Sequence, residues 1–148
     1  MADNIFVDSA GEIILIDFQD MSLVSPVRDI VSLINDRGID ELLGQSLNRE
    51  LFHYAGEKLQ IGDNFERFYN EYLLHWDFRV SGRFALLSEQ KGMPKYAKWI
   101  PGTLRRLGRT MERSYKDFVG MDDLLEILPN YTPEVSEGIQ DAWPLTDR

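Results

Sequence analysis

The chain lacks cysteine, long apolar runs and any overall excess of positive charge. Without cysteine, a disulfide framework is excluded. No apolar run approaches the roughly 20 residues that a bilayer-spanning helix needs, and no basic and apolar leader precedes the first predicted strand. The net charge of −9 argues against a general nucleic-acid binder, which relies on clustered Lys and Arg. Together these absences favour a cytoplasmic protein that binds neither membranes nor nucleic acids.

The composition is that of an ordinary globular domain. Of 148 residues, 43% are hydrophobic and 28% are charged, which is typical of soluble proteins. A chain of this length buries roughly two thirds of the surface that its unfolded form exposes. We therefore expect one domain over residues 1–128, with helices after residue 25, followed by an acidic, poorly ordered tail over 129–148.

A β-hairpin is predicted over residues 4–16. Asn4 to Val7 and Ile13 to Ile16 are apolar, β-branched runs, and the turn-forming segment 8–12 between them contains Gly11. The second run is apolar on both faces, which predicts a strand buried on both sides. It ends in Asp17 and Asp20, so its acidic end is predicted to lie at a cleft.

Helices are predicted for most of the remaining chain. Ser25 and Pro26 suit the cap and first position of a helix that stops at 35–38. A second helix is predicted over 47–58, and a short one over 122–128. Between them, a long helix and one capped by Thr103 are predicted from apolar residues at steps of three and four. Their apolar faces are Phe65, Phe68, Tyr72, Trp76, Val80, Phe84 and Leu87 in the first, and Leu104, Leu107, Met111, Tyr115 and Phe118 in the second.

Basic residues are concentrated in one segment, 91–116. It carries eight basic side chains and one acid, Glu112. One interpretation is a solvated helix face with internal salt bridges, and the other is a site for an anionic ligand. His53 and His75 are both predicted to be surface or packed histidines.

Asn4 and Asp17 flank the predicted hairpin and carry the oxygen ligands that Mg²⁺ prefers. Taken alone, Asn4 fits an Asx-turn and Asp17 fits the cap of a strand end. In kinase-type phosphoryl transfer, however, an Asn that closes the catalytic loop and an Asp just after the next hairpin hold Mg²⁺ on the nucleotide phosphates. The pattern therefore favours a metal site at the open end of the hairpin.

The runs 4–8, 11–20 and 25–36 resemble the aminoglycoside phosphotransferase and choline kinase superfamily. Within it, the segment Asp17-Phe18-Gln19-Asp20 is most similar to bacterial kinases that phosphorylate cell-wall amino sugars, N-acetylmuramate or N-acetylglucosamine, at the anomeric position. Arg79, Gly82-Arg83-Phe84 and 92–96 also resemble the helical region of that subgroup. The implied fold is α+β and mainly α-helical, the C-terminal lobe of a protein-kinase-like fold opened by a β-hairpin.

The resemblance also implies roles for single residues. Asn4 and Asp17 correspond to the two metal ligands, with Mg²⁺ bound together with ATP as co-substrate. Gln19 and Asp20 stand where a sugar hydroxyl or amine would bind. Asp29 corresponds to a structural acid that hydrogen-bonds the catalytic-loop backbone, although an acid in the first helical turn is also favoured by the helix dipole.

The same resemblance predicts that these 148 residues are inactive alone. The aspartate that accepts the substrate proton would stand five positions before Asn4, ahead of Met1, and the phosphate-binding lysine of the N-terminal lobe is not among these residues. Asp3 is no substitute, because its neighbour Asn4 would point to the opposite face of a strand. Since phosphoryl transfer depends on positioning and charge stabilisation, the rate should fall by many orders of magnitude. No residue of this chain is therefore assigned a catalytic role.

Two other functions fit the sequence. A non-catalytic kinase remnant could bind a partner or form a homodimer through the exposed lobe interface, since uncovered apolar surface often marks an interface. A binder of anions or RNA could instead act through residues 91–116, with an affinity that falls steeply with salt.

Overall fold

The structure is a computed structural model that describes residues 4–17, 23–37 and 39–131. The described residues form two strands, β1 (Ile5–Val7) and β2 (Ile13–Leu15), and five α-helices, besides short 3₁₀- and π-helical segments. The helices are α1 (Pro26–Ile34), α2 (Ile39–Leu59), α3 (Phe65–Ala85), α4 (Ile100–Ser114) and α5 (Met121–Tyr131). The predicted mainly α-helical character with a small β element is confirmed. The chain divides into two compact units, Met1–Gly62 and Asp63–Arg148.

The predicted hairpin is present. Strands β1 and β2 pair antiparallel, with Ile5 opposite Leu15, Phe6 opposite Ile14 and Val7 opposite Ile13. The Asp8 carboxylate closes the turn, because its Oδ1 accepts hydrogen bonds from the backbone N–H groups of Ala10 (2.8 Å) and Glu12 (2.9 Å). Gly11 follows with φ of 86°, a left-handed conformation that glycine adopts without steric cost.

The predicted burial of the second strand is wrong. Ile13, Ile14 and Leu15 are 69%, 46% and 62% exposed, and the side chains of β1 are exposed too. Apolar residues on both faces of a strand favour burial only where other elements cover both faces. Among the residues that the structure describes, the two faces of this hairpin are left open to solvent.

Helix α1 follows its prediction closely. Ser25 is the N-cap, where its Oγ accepts the Val27 N–H at 3.4 Å, and Pro26 occupies the first helical position. Val27, Val31 and Ile34 are buried. Helix α2 contacts α1 and extends further than predicted, since it includes a first segment that ends at a kink at Gly44 (φ 72°, ψ 166°).

Helix α3 is the longest continuous helix of the second unit, but its buried face differs from the prediction. Phe65, Trp76, Val80 and Phe84 are buried as expected. Tyr69 and Leu73 complete the apolar face in place of Phe68 and Tyr72, which lie one position earlier. A π-helical turn, Leu86–Gln90, follows α3, and the predicted break at 92–94 leads into a 3₁₀ helix, Pro94–Trp99.

The predicted cap of α4 at Thr103 is wrong. The helix begins at Ile100, and the buried Thr103 lies inside it, where its hydroxyl donates to the Trp99 carbonyl at 2.8 Å. Leu104, Leu107 and Met111 form a buried hydrophobic cluster, and partly buried hydrophobic residues of α3, α4 and α5 pack against it. Helix α4 ends at Ser114, so Tyr115 is only half-buried and Phe118 is exposed. The short helix predicted over 122–128 is present as part of α5.

Candidate metal site at the open end of the hairpin

The hairpin brings Asn4 and Asp17 to the same end of its ladder. The Ile16 N–H donates to the Asn4 carbonyl oxygen at 3.0 Å, which extends the pairing of β1 and β2 by one step. Asn4 is therefore held opposite Ile16, and Asp17 is the next residue along the chain. These backbone contacts fix the positions from which both side chains extend.

The two side chains are in direct contact. The Asn4 Nδ2 donates to the Asp17 Oδ2 across 3.1 Å, at an exposed position. Although 13 positions separate them in sequence, the amide and the carboxylate lie as close as two ligands of one ion would. In this arrangement the amide nitrogen faces the carboxylate, so a rotation of the Asn4 amide would present its oxygen instead.

Asp17 has an unusual backbone conformation, with φ of 59°. This left-handed region is uncommon for residues other than glycine, although aspartate and asparagine adopt it more readily than most. In a regular strand Asp17 would point to the opposite face from Ile16 and its partner Asn4. Because of its positive φ, Asp17 does not follow this alternation, and its carboxylate lies against Asn4.

The donor set fits a magnesium ion that also binds phosphate. Mg²⁺ is usually held by one or two protein oxygens, with waters and substrate phosphates completing its octahedron. The Asn4 amide oxygen and the Asp17 carboxylate would provide two such oxygens. Within residues 4–17, 23–37 and 39–131, no group of three His, Cys, Asp or Glu side chains is arranged to hold a metal by itself.

The structure describes one of the three other predicted site residues, Asp29. Gln19 and Asp20, the predicted substrate-binding residues, lie outside the described residues, as does the predicted tail from residue 132 onward. Asp29 is exposed in the first turn of α1, a position that suits the helix dipole. His53 and His75 are both exposed on their helices, as predicted.

The basic segment contains an ion pair that sequence reasoning missed. Arg106 on α4 binds Asp77 on α3, with 2.7 Å between Nη2 and Oδ1, and the Asp77 side chain is fully buried. The signal in the sequence was Asp77 itself, an acid set between Trp76 and Val80 on an apolar helix face. This pair favours the interpretation of residues 91–116 as a helix face with internal salt bridges.

Two lysines of the same segment lie over neighbouring aromatic rings. The Lys98 Nζ is 4.4 Å from the ring centroid of Trp99, and the Lys95 Nζ is 5.4 Å from that of Tyr96. Such contacts stabilise a cation through the negative face of the ring. The anion-site interpretation would assign these two ammonium groups to a ligand, whereas in the structure each lies over an aromatic ring.

Tyr115, at the end of α4, has a perturbed phenol. Burial raises the pKa of Tyr115, the Glu71 carboxylate raises it further, and Arg67 opposes the change. Both mechanisms disfavour a negative charge on the phenol oxygen. This group lies in the second unit, whereas Asn4 and Asp17 lie in the first.

The comparisons with known proteins leave the family open. No protein-family model matches the chain, and no curated protein or solved structure gave a significant match. Across the part of the chain that the structure describes, no helix has both the length and the apolar character to cross a membrane.

Proposed function

We propose that this chain is the C-terminal lobe of an ATP-dependent and Mg²⁺-dependent phosphotransferase of the aminoglycoside phosphotransferase and choline kinase superfamily. The reaction would transfer the γ-phosphoryl group of ATP to a hydroxyl of an amino sugar or aminoglycoside. Because ATP is the co-substrate, the proposal includes a cytoplasmic location.

The contact between Asn4 and Asp17 is the observation that carries this proposal. Two side chains with hard oxygen donors meet at the open end of an antiparallel hairpin, and the second adopts a left-handed backbone conformation that brings it there. A structural Asx-turn or strand cap would require neither this long-range contact nor the positive φ. Metal binding gives a reason for both.

Each residue then has a defined task. Asn4 and Asp17 would hold Mg²⁺, which neutralises phosphate charge when bound. Gln19 and Asp20 would orient the sugar hydroxyl or amine, and Asp29 would support the site from α1. None of the residues of this chain is proposed as the proton acceptor.

Binding of Mn²⁺ with ATP tests the metal site directly. Mn²⁺ accepts the same oxygen ligands as Mg²⁺ and broadens nearby NMR signals. With ATP present, we expect Mn²⁺ to broaden the backbone amide signals of Ile5 and Ile16. Asp17→Ala should abolish this broadening, whereas Glu12→Gln, which removes one exposed charge from the same hairpin, should leave it unchanged.

Either of two results would refute the metal site. The first is the absence of broadening in the wild-type chain, and the second is equal broadening in wild type and Asp17→Ala. Activity provides a separate test: the purified 148-residue chain should phosphorylate amino sugars no faster than its Asp17→Ala variant. A rate clearly above that variant would contradict the expected inactivity of this chain alone.

A second function is favoured by the exposed hairpin. Ile5, Phe6 and Val7 are 37%, 50% and 68% exposed, and the apolar residues 13–16 of the other strand are exposed as well. Exposed apolar surface often marks an interface. The alternative is a non-catalytic kinase remnant that acts as a protein-interaction or dimerisation module.

A further inference from the structure

Among the residues that the structure describes, no strand pairs with the outer edge of β1. In an antiparallel ladder, residues alternate between those that bond to the partner strand and those whose N–H and C=O point away from it. The bonds from Ile16 N–H to Asn4 carbonyl and from Asp8 N–H to Glu12 carbonyl show that Asn4 and Asp8 face β2. By the alternation Phe6 also faces β2, so the backbone groups of Ile5 and Val7 point outward.

The sequence of β1 is close to a palindrome centred on Phe6. On each side of this aromatic residue stands one β-branched residue, Ile5 or Val7, and beyond it one polar residue, Asn4 or Asp8. Two copies of β1 related by a two-fold axis through Phe6 would therefore match at every position. Ile5 would lie opposite Val7, and the Asn4 amide, a donor, would lie opposite the Asp8 carboxylate, an acceptor.

This register also satisfies the backbone. Ile5 and Val7 would exchange both of their outward hydrogen bonds with Val7 and Ile5 of the second copy. Phe6 would meet its symmetry mate at a non-hydrogen-bonded pair, where side chains approach most closely. An interface in which the same surface serves both copies is the usual basis of a two-fold dimer.

The outer edge of β2 lacks this self-complementarity. Centred on Ile14, two copies of β2 would place the Glu12 carboxylate opposite Ile16. A charge that loses water without gaining a partner is costly. The comparison between the two edges selects β1 as the edge that pairs.

We propose that β1 is a dimerisation strand, and that its partner is the β1 strand of a second copy of this chain. The two hairpins then form one four-stranded antiparallel sheet, with strand order β2, β1, β1 and β2. An isolated two-stranded hairpin is marginally stable, whereas three or more strands with an apolar face are stable. Pairing of this kind gives the exposed hairpin the neighbours that the described residues of one chain do not supply.

The inference can be tested apart from the proposed phosphotransferase. It rests on the outward backbone groups and the apolar side chains of β1, and of the two proposed metal ligands it involves only Asn4, at the margin of the contact. The contact is small, and interfaces of this size are typical of weak association. Measurements should therefore extend to protein concentrations of several hundred micromolar.

Single cysteines test the register, because the natural chain contains none. At a non-hydrogen-bonded antiparallel pair the Cα atoms are about 4.5 Å apart, which lies within the range of a disulfide. Under mild oxidation, Phe6→Cys should form a disulfide-linked dimer. Ile14→Cys is the matched control, since Ile14 lies opposite Phe6, is 46% exposed against 50%, and is on the edge that does not pair.

Two proline variants test the backbone pairing. Val7→Pro removes an outward N–H from β1, and Leu15→Pro removes an outward N–H from β2. By sedimentation equilibrium, Val7→Pro should weaken the dimer by about tenfold or more, because each dimer loses two hydrogen bonds. Leu15→Pro should leave its dissociation constant within about twofold of the wild-type value, since β2 contributes no bond to the dimer.

Three outcomes would overturn the proposal. The first is a wild-type chain that stays monomeric at every concentration, and this measurement still tests the proposal if Phe6→Cys fails to fold. Another is equal cross-linking of the two cysteine variants, or none in a folded Phe6→Cys. A dimer that resists Val7→Pro would show that another surface holds the two copies together.

Discussion

The Arg106 guanidinium binds both carboxylate oxygens of Asp77, with 2.7 Å between Nη2 and Oδ1 and 2.9 Å between Nε and Oδ2. The pair joins α4 to α3, and 29 positions separate its members. The Asp77 side chain is fully buried and Arg106 is 16% exposed. A forked contact of this kind fixes the geometry of both partners, so it sets how the two helices pack.

Removing one member of this pair should strongly destabilise the second unit. Asp77→Leu leaves the Arg106 cation without its buried counter-charge, and we expect the free energy of unfolding to fall by about 3–5 kcal/mol. The double variant Asp77→Leu/Arg106→Met should recover most of this loss, since a buried ion pair is often replaceable by apolar residues. Urea denaturation followed by circular dichroism measures both effects.

The matched control for this prediction is an exposed ion pair on α3. Arg67 and Glu71 are 3.5 Å apart, with side chains 65% and 49% exposed. Arg67→Met should change stability by no more than about 0.5 kcal/mol. If Asp77→Leu had an effect as small as this control, the buried pair would not hold the two helices together.

Gly44 and Gly82 should respond in opposite ways to alanine. Gly44 has φ of 72° and ψ of 166°, a combination accessible almost only to glycine, whereas Gly82 lies inside α3. At both sites an added Cβ would meet no atom within 4 Å, so the backbone alone decides the outcome. In urea denaturation, Gly44→Ala should lose about 1–3 kcal/mol and Gly82→Ala should gain about 0.5–1 kcal/mol. Stabilisation by Gly44→Ala would mean that the kink in α2 is absent.

Tyr115 should make the stability of the second unit fall at alkaline pH. Burial and the Glu71 carboxylate raise the pKa of this phenol above its ordinary value of 10.0. The folded state thus keeps a proton that the unfolded state has lost, and the free energy of unfolding decreases as pH rises above that value. The contribution of Tyr115 to the free energy of unfolding is fully present below pH 10, and it is lost as the pH rises through the pKa of the folded state.

Denaturation profiles from pH 8 to 11 test this contribution. Tyr115→Phe should flatten the alkaline decline relative to wild type, because phenylalanine does not ionise. Glu71→Gln should flatten it in part, since it removes one of the two causes. An unchanged profile in Tyr115→Phe would assign the decline to other groups.

The Asp8 carboxylate should control how well the hairpin is formed. Its Oδ1 accepts two backbone N–H bonds in the turn, and each contributes about 0.5–1.5 kcal/mol. Asp8→Ala should therefore speed hydrogen exchange of the Ile16 amide, which closes the ladder at the other end. Glu12→Gln changes charge in the same turn without removing an acceptor of these bonds, and it should leave exchange unaltered. Slow exchange in Asp8→Ala would show that the strands hold the hairpin without its turn.

Local features of the fold could be predicted from the sequence, because they depend on neighbouring residues. The hairpin follows from two apolar runs around Gly11, and α1 follows from Ser25, Pro26 and regular apolar spacing. The face of α3 was harder to predict, since aromatic or apolar residues stand side by side at 68–69 and 72–73 and define two overlapping stripes. Only packing selects Tyr69 and Leu73 over their neighbours.

Features that depend on distant residues could not be predicted. Apolar character on both faces of β2 indicates that a strand is suited to burial, but not that another element covers it. The pairing of Asp77 with Arg106 depends on how α3 and α4 pack, which no local pattern encodes. For the candidate site, the hairpin predicted that Asn4 and Asp17 would meet, while the positive φ of Asp17 became visible only in the structure.

The position of Trp76 determines what intrinsic fluorescence will report. Its ring is largely buried in α3 beneath the Arg79 guanidinium, 4.9 Å from the ring centroid, and no tryptophan occurs among residues 1–62. Emission from Trp76 will therefore follow the second unit alone. If the unit that carries Asn4 and Asp17 melts first, the Trp76 signal will stay native while the ellipticity of α1 and α2 is already lost.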